Sequence, residues 1–380
     1  MNPTQAIKDQ AHRLGFSLVG VTTCDPLPHE QMYAEWLDHG RLGEMRYLAS
    51  SRSRTCRAHP QRILPECRSV LVLGVRYPAP RVGNAKNVRE MDLRGRIASY
   101  AWGMDYHDFL PARLESLVEF IEDSVGHPIP HRGYTDTGPI LERELAQRAG
   151  LGWIGKNTCL IHPRAGSYFI LAEVLLGLEL EPDPPFTVDR CGTCTRCQEY
   201  CPTGCILPDR TLDASRCISY LSIELKGSIP LELRPLMNSW VFGCDICQQV
   251  CPWNRFAEPL YDPAFDPLIL QDPTDLLAEC ALSAEEFRQK YRHSPLSRAK
   301  RGGYLRNIAV ALGNLGNPAA IKPLAQWLAS DPEPLVRGHA AWALGQIGGK
   351  KALAALVKAA SQEPDPQVMQ EVENALANHM

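Results

Sequence analysis

Cys191-Gly-Thr-Cys194-Thr-Arg-Cys197-Gln-Glu-Tyr-Cys201-Pro202 reads C-x2-C-x2-C-x3-C-P. This is the ligand spacing of bacterial [4Fe–4S] clusters. Three cysteines two apart wrap one corner of a cubane, and the fourth turns away toward a second cluster. Downstream, Cys244-Asp-Ile-Cys247-Gln-Gln-Val-Cys251-Pro252 is one cysteine short of a second run, and Cys217 is the natural replacement. The crossing rule assigns Cys191, Cys194, Cys197 and Cys251 to the first cluster and Cys201, Cys217, Cys244 and Cys247 to the second. Tetrahedral zinc on sets of four cysteines is the alternative. The tight triple and the twin Cys-Pro ends argue against it. Cys205 lies beyond the ligand count and reads as a buried thiol, as do the scattered Cys24, Cys56, Cys67, Cys159 and Cys280. Two clusters imply one-electron transfer, so another part of the chain should receive the electrons.

On the N-terminal side, residues 1–181 alternate helices and strands. An amphipathic helix at about 4–14 leads into a strand at 17–22, and a second apolar run spans Ser69 to Val75. Residues 107–125 carry apolar residues at helical spacing. Leu141 to Ala149 reads as another helix and Ser167 to Leu176 as another strand. The fold class expected is α+β / α/β, a sheet with helices packed on it. Residues 182–260 form a ferredoxin-like two-cluster domain and 261–303 a linker with a basic stretch. From 304 to 380 the chain repeats. Leu312-Gly313 maps to Leu344-Gly345, Leu324 to Leu356, and Pro332 and Pro334 to Pro364 and Pro366, a HEAT-like helical repeat.

Composition excludes a disordered chain: 380 residues are 44% hydrophobic and 22% charged. The N-terminus lacks an apolar h-region and a twin-Arg pair, and Val70 to Val75 is too short to span a bilayer. A cytoplasmic, non-membrane protein is expected. A net charge of −3 gives no hint of a nucleic-acid partner, so any such site must be local. From Arg288 to Arg306 run Arg288, Lys290, Arg292, Arg298, Lys300, Arg301 and Arg306 without an acidic residue, with Tyr291, His293 and Tyr304 interleaved. Such a stretch suits an RNA backbone; the alternative is a solvated charge run. Arg76, Arg81, Lys86, Arg89, Arg94 and Arg96 form a weaker patch diluted by Glu90 and Asp92.

In the first domain, Asp136-Thr-Gly-Pro-Ile-Leu-Glu-Arg143 precedes a helix, and on residue chemistry alone Asp136 reads as its N-cap. Gly150, Gly152 and Gly155 lack GxGxxG or Walker spacing and read as turn residues. His107, in Asp105-Tyr-His107-Asp-Phe-Leu110, has the start of a DxHxxG cobalamin signature, but Leu110 replaces the glycine, so a surface or cap histidine is expected.

Taken together, the motifs resemble the epoxyqueuosine reductase family from end to end. They are R-A-H-P at Arg57–Pro60, W-G-M-D-Y-H at Trp102–His107, D-T-G-P-I-L-E-R, A-G-L-G-W-I-G-K-N, and the cluster cysteines. C-I-S-Y-L from Cys217, G-C-D-I-C-Q, C-P-W-N-R and R-N-I-A-V-A-L-G-N complete the set. The resemblance implies base-off cobalamin, without a DxHxxG histidine, beside two [4Fe–4S] clusters on a core shared with reductive dehalogenases. It implies reduction of epoxyqueuosine to queuosine at the wobble position of tRNA with a GUN anticodon, with Asp136 as proton donor. Arg57, Asp136 and Ser219, with backbone around Leu160 and Leu171, would contact cobalamin. Some relatives carry a Cys where this chain has Ile97-Ala98-Ser99. An external electron donor and a monomer are expected. The competing readings are a dehalogenase-like small-molecule reductase and an electron-relay ferredoxin subunit without cobalamin.

Overall fold

The computed structural model describes residues 3–80, 93–257, 259–267 and 274–379. Its strands are β1 (Leu18–Thr23), β2 (Ser69–Arg76), β3 (Arg94–Ile97), β4 (His131–Tyr134), β5 (Trp153–Ile154), β6 (Leu160–Ile161), β7 (Phe169–Leu176), β8 (Trp240–Phe242) and β9 (Thr274–Asp275). Chain contacts divide the molecule into two units, each drawn from three segments. The first is Met1–Pro80, Met104–Ser215 and Ile246–Asp266; the second is Arg81–Gly103, Arg216–Asp245 and Pro267–Met380.

The first unit is built on a sheet of order β1-β2-β7-β4 in which every neighbouring pair is antiparallel. The pairing resolves the expected class to α+β, because adjacent antiparallel strands need no βαβ crossover. β2 is buried from Ser69 to Val75, as its unbroken apolar run requires. Side chains alternate across the strands, so Val70, Val72, Leu171 and Leu175 share one face. They join Leu145 and Ala146 of the helix Glu142–Arg148 in a single apolar cluster. The helix Tyr106–Val125 packs on β4 and β7. Asp105 caps it by accepting the His107 N–H, and Gly126 ends it at φ +77°.

One expectation changes here. Cys24 and Cys67 are bonded as a disulfide, not isolated thiols. The β1–β2 register places Thr23 opposite Ser69, which brings the residue after β1 and the residues before β2 to the same end of the ladder. Sequence spacing carried no sign of that meeting.

In the second unit a small sheet, β8-β3-β9, accompanies the helical repeat. The repeat helices are Lys300–Leu315, Ile321–Ser330, Pro334–Ile347, Gly349–Ala360 and Pro366–Ala377. The repeated glycines mark close helix approach: a Cβ on Gly313 would lie 2.6 Å from the Trp342 ring, and one on Gly345 2.8 Å from Ala375 Cβ. The repeated prolines, Pro334 and Pro366, occupy the first turn of their helices, where a missing N–H costs nothing.

Candidate active site and cluster sites

Cys191, Cys194, Cys197 and Cys251 line one cavity of about 150 Å³, together with Lys156, Asn157, Pro252 and Trp253. The short helix Arg196–Glu199 packs on the short helix Ile246–Gln249, which draws the two Cys-Pro ends together. Cys251 also joins Trp153 and Ile161 of the β5–β6 hairpin in a small apolar cluster. Around the thiols, Lys156 Nζ donates to the carbonyls of Gly192 and Cys194 at 2.8 and 2.9 Å. The Trp153 indole N–H donates to Cys191 Sγ at 3.4 Å. Burial pushes the Cys251 thiol up to about 11 and raises that of Cys197, so ligation there must displace protons. Four thiols lining one cavity fit a cubane cluster in donor chemistry and in number.

The other four cysteines divide between the units: Cys201 and Cys247 belong to the first, Cys217 and Cys244 to the second. Cys205, buried as expected, places its Sγ 3.4 Å from Cys201 Sγ. Cys217 is the N-cap residue of the helix Ile218–Ile223, which places half-buried Ser219 in that helix's first turn.

Asp136 is not a helix cap. It follows β4 with φ +60°, and the helix Glu142–Arg148 has Leu141 at its N-cap with no side-chain cap bond. The exposed Asp136 carboxylate accepts the Tyr106 hydroxyl at 2.8 Å, and its backbone N–H donates to Glu142 Oε1 at 2.8 Å. Thr135 holds the preceding turn by donating its hydroxyl to the Leu171 carbonyl at 3.0 Å. Arg57, on the helix Ser51–Ala58, hydrogen-bonds Ser53. Its guanidinium lies 5.7 Å from the Tyr33 ring centroid, and its charge acts on Glu142. Leu160 and Leu171 are buried in the apolar cluster below. His107 is a half-buried first-turn residue, not the cap, and its Nδ1 lies 3.0 Å from Oδ1 of the capping Asp105.

Two acidic residues here escaped the sequence reading. Burial and the charge of Asp136 raise Glu142 to about 7. Glu173 of β7 is fully buried and raised well above the ordinary carboxylate range by burial, then by Glu142 and Asp136. A lone acid inside the apolar run SYFILAEVLL was the signal available.

Part of the basic stretch is committed to contacts within the second unit. Arg306 is fully buried and donates to the carbonyls of Leu221, Leu225 and Gly227 at 2.7–2.8 Å. Arg301 pairs with Asp331 and Glu333, Lys290 with Glu279 and Arg288 with Glu285. Tyr291 and Tyr304 are buried. The expectation of an unbroken RNA-facing stretch is therefore corrected at Arg306, Tyr291 and Tyr304; the exposed members are Arg288, Lys290, Arg292, His293 and Lys300. In the weaker patch, Arg96 lies over Trp240 at 4.8 Å. Arg81, Lys86, Arg89, Glu90 and Asp92 lie outside the described residues.

Thiols gathered for an iron–sulfur cluster, with a separate acid-bearing loop, define an iron–sulfur oxidoreductase. Comparison with known proteins narrows this. The family model described as "Epoxyqueuosine reductase QueG, DUF1730" matches residues 57–137, running from Arg57 through Asp136. A "4Fe-4S double cluster binding domain" matches 190–254 and "HEAT repeats" 300–377. An epoxyqueuosine reductase of Pseudomonas aeruginosa is 41% identical over 89% of this chain and 92% of its own. A crystal structure of epoxyqueuosine reductase with an epoxyqueuosine-modified tRNA-Tyr stem loop superposes with a TM-score of 0.89. It is 32% identical and covers 98% of each chain. A Bacillus subtilis enzyme, also 32% identical with a TM-score of 0.87 over 98% of each chain, was solved with its catalytic aspartate loop swung out of the active site. This chain belongs to the epoxyqueuosine reductase family, and is an oxidoreductase of tRNA modification.

Proposed function

We propose that this protein reduces epoxyqueuosine to queuosine at the wobble position of tRNA with a GUN anticodon, and that Asp136 supplies the proton to the departing epoxide oxygen. The observation that carries the reading is the exposed Asp136 carboxylate, held outside any cap on a left-handed backbone and bonded by Tyr106. Cys191, Cys194, Cys197 and Cys251 hold one [4Fe–4S] cluster; Cys201, Cys217, Cys244 and Cys247 hold the other. An external donor loads them, and a single cytoplasmic chain acts alone.

The residues near Asp136 fit a corrin. Exposed Asp136 and Thr137 and half-buried Arg57 would offer polar groups to its amide arms, with backbone around Leu160 and Leu171 beside them. Ser219 completes the proposed contacts. Cobalamin held there, base-off and without a DxHxxG histidine, would supply the strong nucleophile that an epoxide carbon requires. The chain's own task is then to position and protonate. Tyr106 aims the Asp136 carboxyl, and Glu142 and Thr135 fix the backbone that carries it. Opening the C–O bond leaves an alkoxide, and proton delivery from Asp136 lowers that barrier.

Incubating the reconstituted enzyme with a low-potential reductant and epoxyqueuosine-containing tRNA, then analysing the nucleosides, tests the proposal. Queuosine should appear and epoxyqueuosine decline; unchanged nucleosides with clusters and corrin in place would refute it.

A further inference from the structure

Glu173 is the anomaly in the sheet. It stands on β7 between Leu171 and Leu175, fully buried on the face that packs under the helix Glu142–Arg148. Among the described residues, neither of its carboxyl oxygens meets a hydrogen-bond donor. A buried carboxylate without a donor or counter-charge is among the costliest groups a core can hold. The group facing it at hydrogen-bonding range is the Glu142 carboxyl. Two carboxyls can bond only when one carries a proton, so this contact requires a shared proton. Glu142 in turn accepts the Asp136 N–H at 2.8 Å.

We propose that Glu173 and Glu142 share a proton and reload Asp136 with it between turnovers, so that both are positioning residues of a proton path beneath the acid. This rests on the proposed role of Asp136. After Asp136 gives its proton to the epoxide oxygen, its carboxylate takes one from Glu142, directly or through one water. Glu142 recovers a proton from Glu173, and solvent reloads the pair once the RNA has left. Protons alone move, and the number taken from solvent equals the number given to substrate. The charged groups around the pair act in both directions, and burial with the Asp136 charge outweighs the rest. Asp136 from the loop raises both acids, while Arg57 and Arg143 oppose the rise on Glu142 without cancelling it. Across the ladder from Glu173, β4 contributes Tyr134 and β2 contributes Val72, neither of which carries a charge at neutral pH.

The test uses the holoenzyme and the variants E173Q, E142Q and D136N. Glutamine keeps the shape of protonated glutamate and its acceptor oxygen, so clusters and cobalamin should be retained, and the melting temperature on the acid side should match wild type. In wild type, infrared spectroscopy at neutral pH should show a deuterium-sensitive protonated-carboxyl stretch that E173Q loses. The alkaline limb of turnover in E173Q should move to lower pH, with roughly tenfold lower turnover on that side per unit of displacement, while the acid side matches wild type. E142Q should show the same limb. Superimposable pH profiles, or a wild-type spectrum without the protonated band, would overturn the inference. If D136N turns over normally, the role of Asp136 itself fails. If D136N is inactive but E173Q matches wild type, only the proton path fails.

Discussion

Asp136 pays for its position with a left-handed backbone at φ +60°, a conformation that Asp and Asn tolerate better than most residues. Asp136→Asn should therefore keep the loop, the fold and the cofactors. Turnover should fall roughly 10²- to 10⁴-fold, because an amide cannot supply the proton; a single-turnover nucleoside assay reads this. Its neighbour Glu142 gives a stability signature. Burial and the Asp136 charge raise it from 4.5 to about 7, so the folded state holds a proton that the unfolded chain has released. Stability from this residue is present below about pH 4.5 and is lost as pH rises through about 7. Urea melts across that window should show the decline, and E142Q should flatten it.

Among the elements, the cysteine runs and the repeat helices show how spacing becomes structure. Cys194→Ser and Cys247→Ser should each remove about four of about eight iron atoms per chain, measured by iron content after reconstitution. In the repeat, His339 is buried; its Nδ1 lies 2.8 Å from the Leu335 carbonyl and its Nε2 accepts the Ile229 N–H at 3.3 Å. That arrangement needs the neutral ring. Burial, then the charge of Arg234, lowers its pKa well below 6.5. The stability it contributes is present above about 6.5 and is lost as pH falls toward its depressed folded value. Thermal melts at about pH 7 and about pH 5 should differ, and His339→Gln should reduce the difference.

For the molecule as a whole, charge along the chain proved a poor map of charge on the surface. Arg301 and Arg306 belong to the interior wiring of the second unit. Arg306→Met should cost roughly 3 kcal/mol, since it leaves buried carbonyls without donors; denaturant midpoints read this. Arg301→Ala should lower the melting temperature, while the salt dependence of tRNA binding stays at the wild-type slope. A flattened slope would show that Arg301 reaches phosphate after all.

What the amino-acid sequence determined by itself was whatever depends on short spacing. The C-x2-C-x2-C-x3-C-P run, the repeating Leu-Gly and Pro positions, and the apolar runs of β2 and β7 are local patterns, because a cluster corner, a helical turn and a strand each span only a few residues. The acid-bearing motif at Asp136 was visible too, though its residue chemistry pointed to a cap. Tertiary structure decided the rest. It took Asp136 out of the cap position and set Tyr106 on it, brought Cys251 to the cavity of Cys191, Cys194 and Cys197, and joined Cys24 to Cys67. It also buried Glu173 against Glu142 and turned Arg306 inward. Each of these is a meeting of residues far apart in the chain. A side chain's type states which bonds it can make, but only the fold supplies the partner.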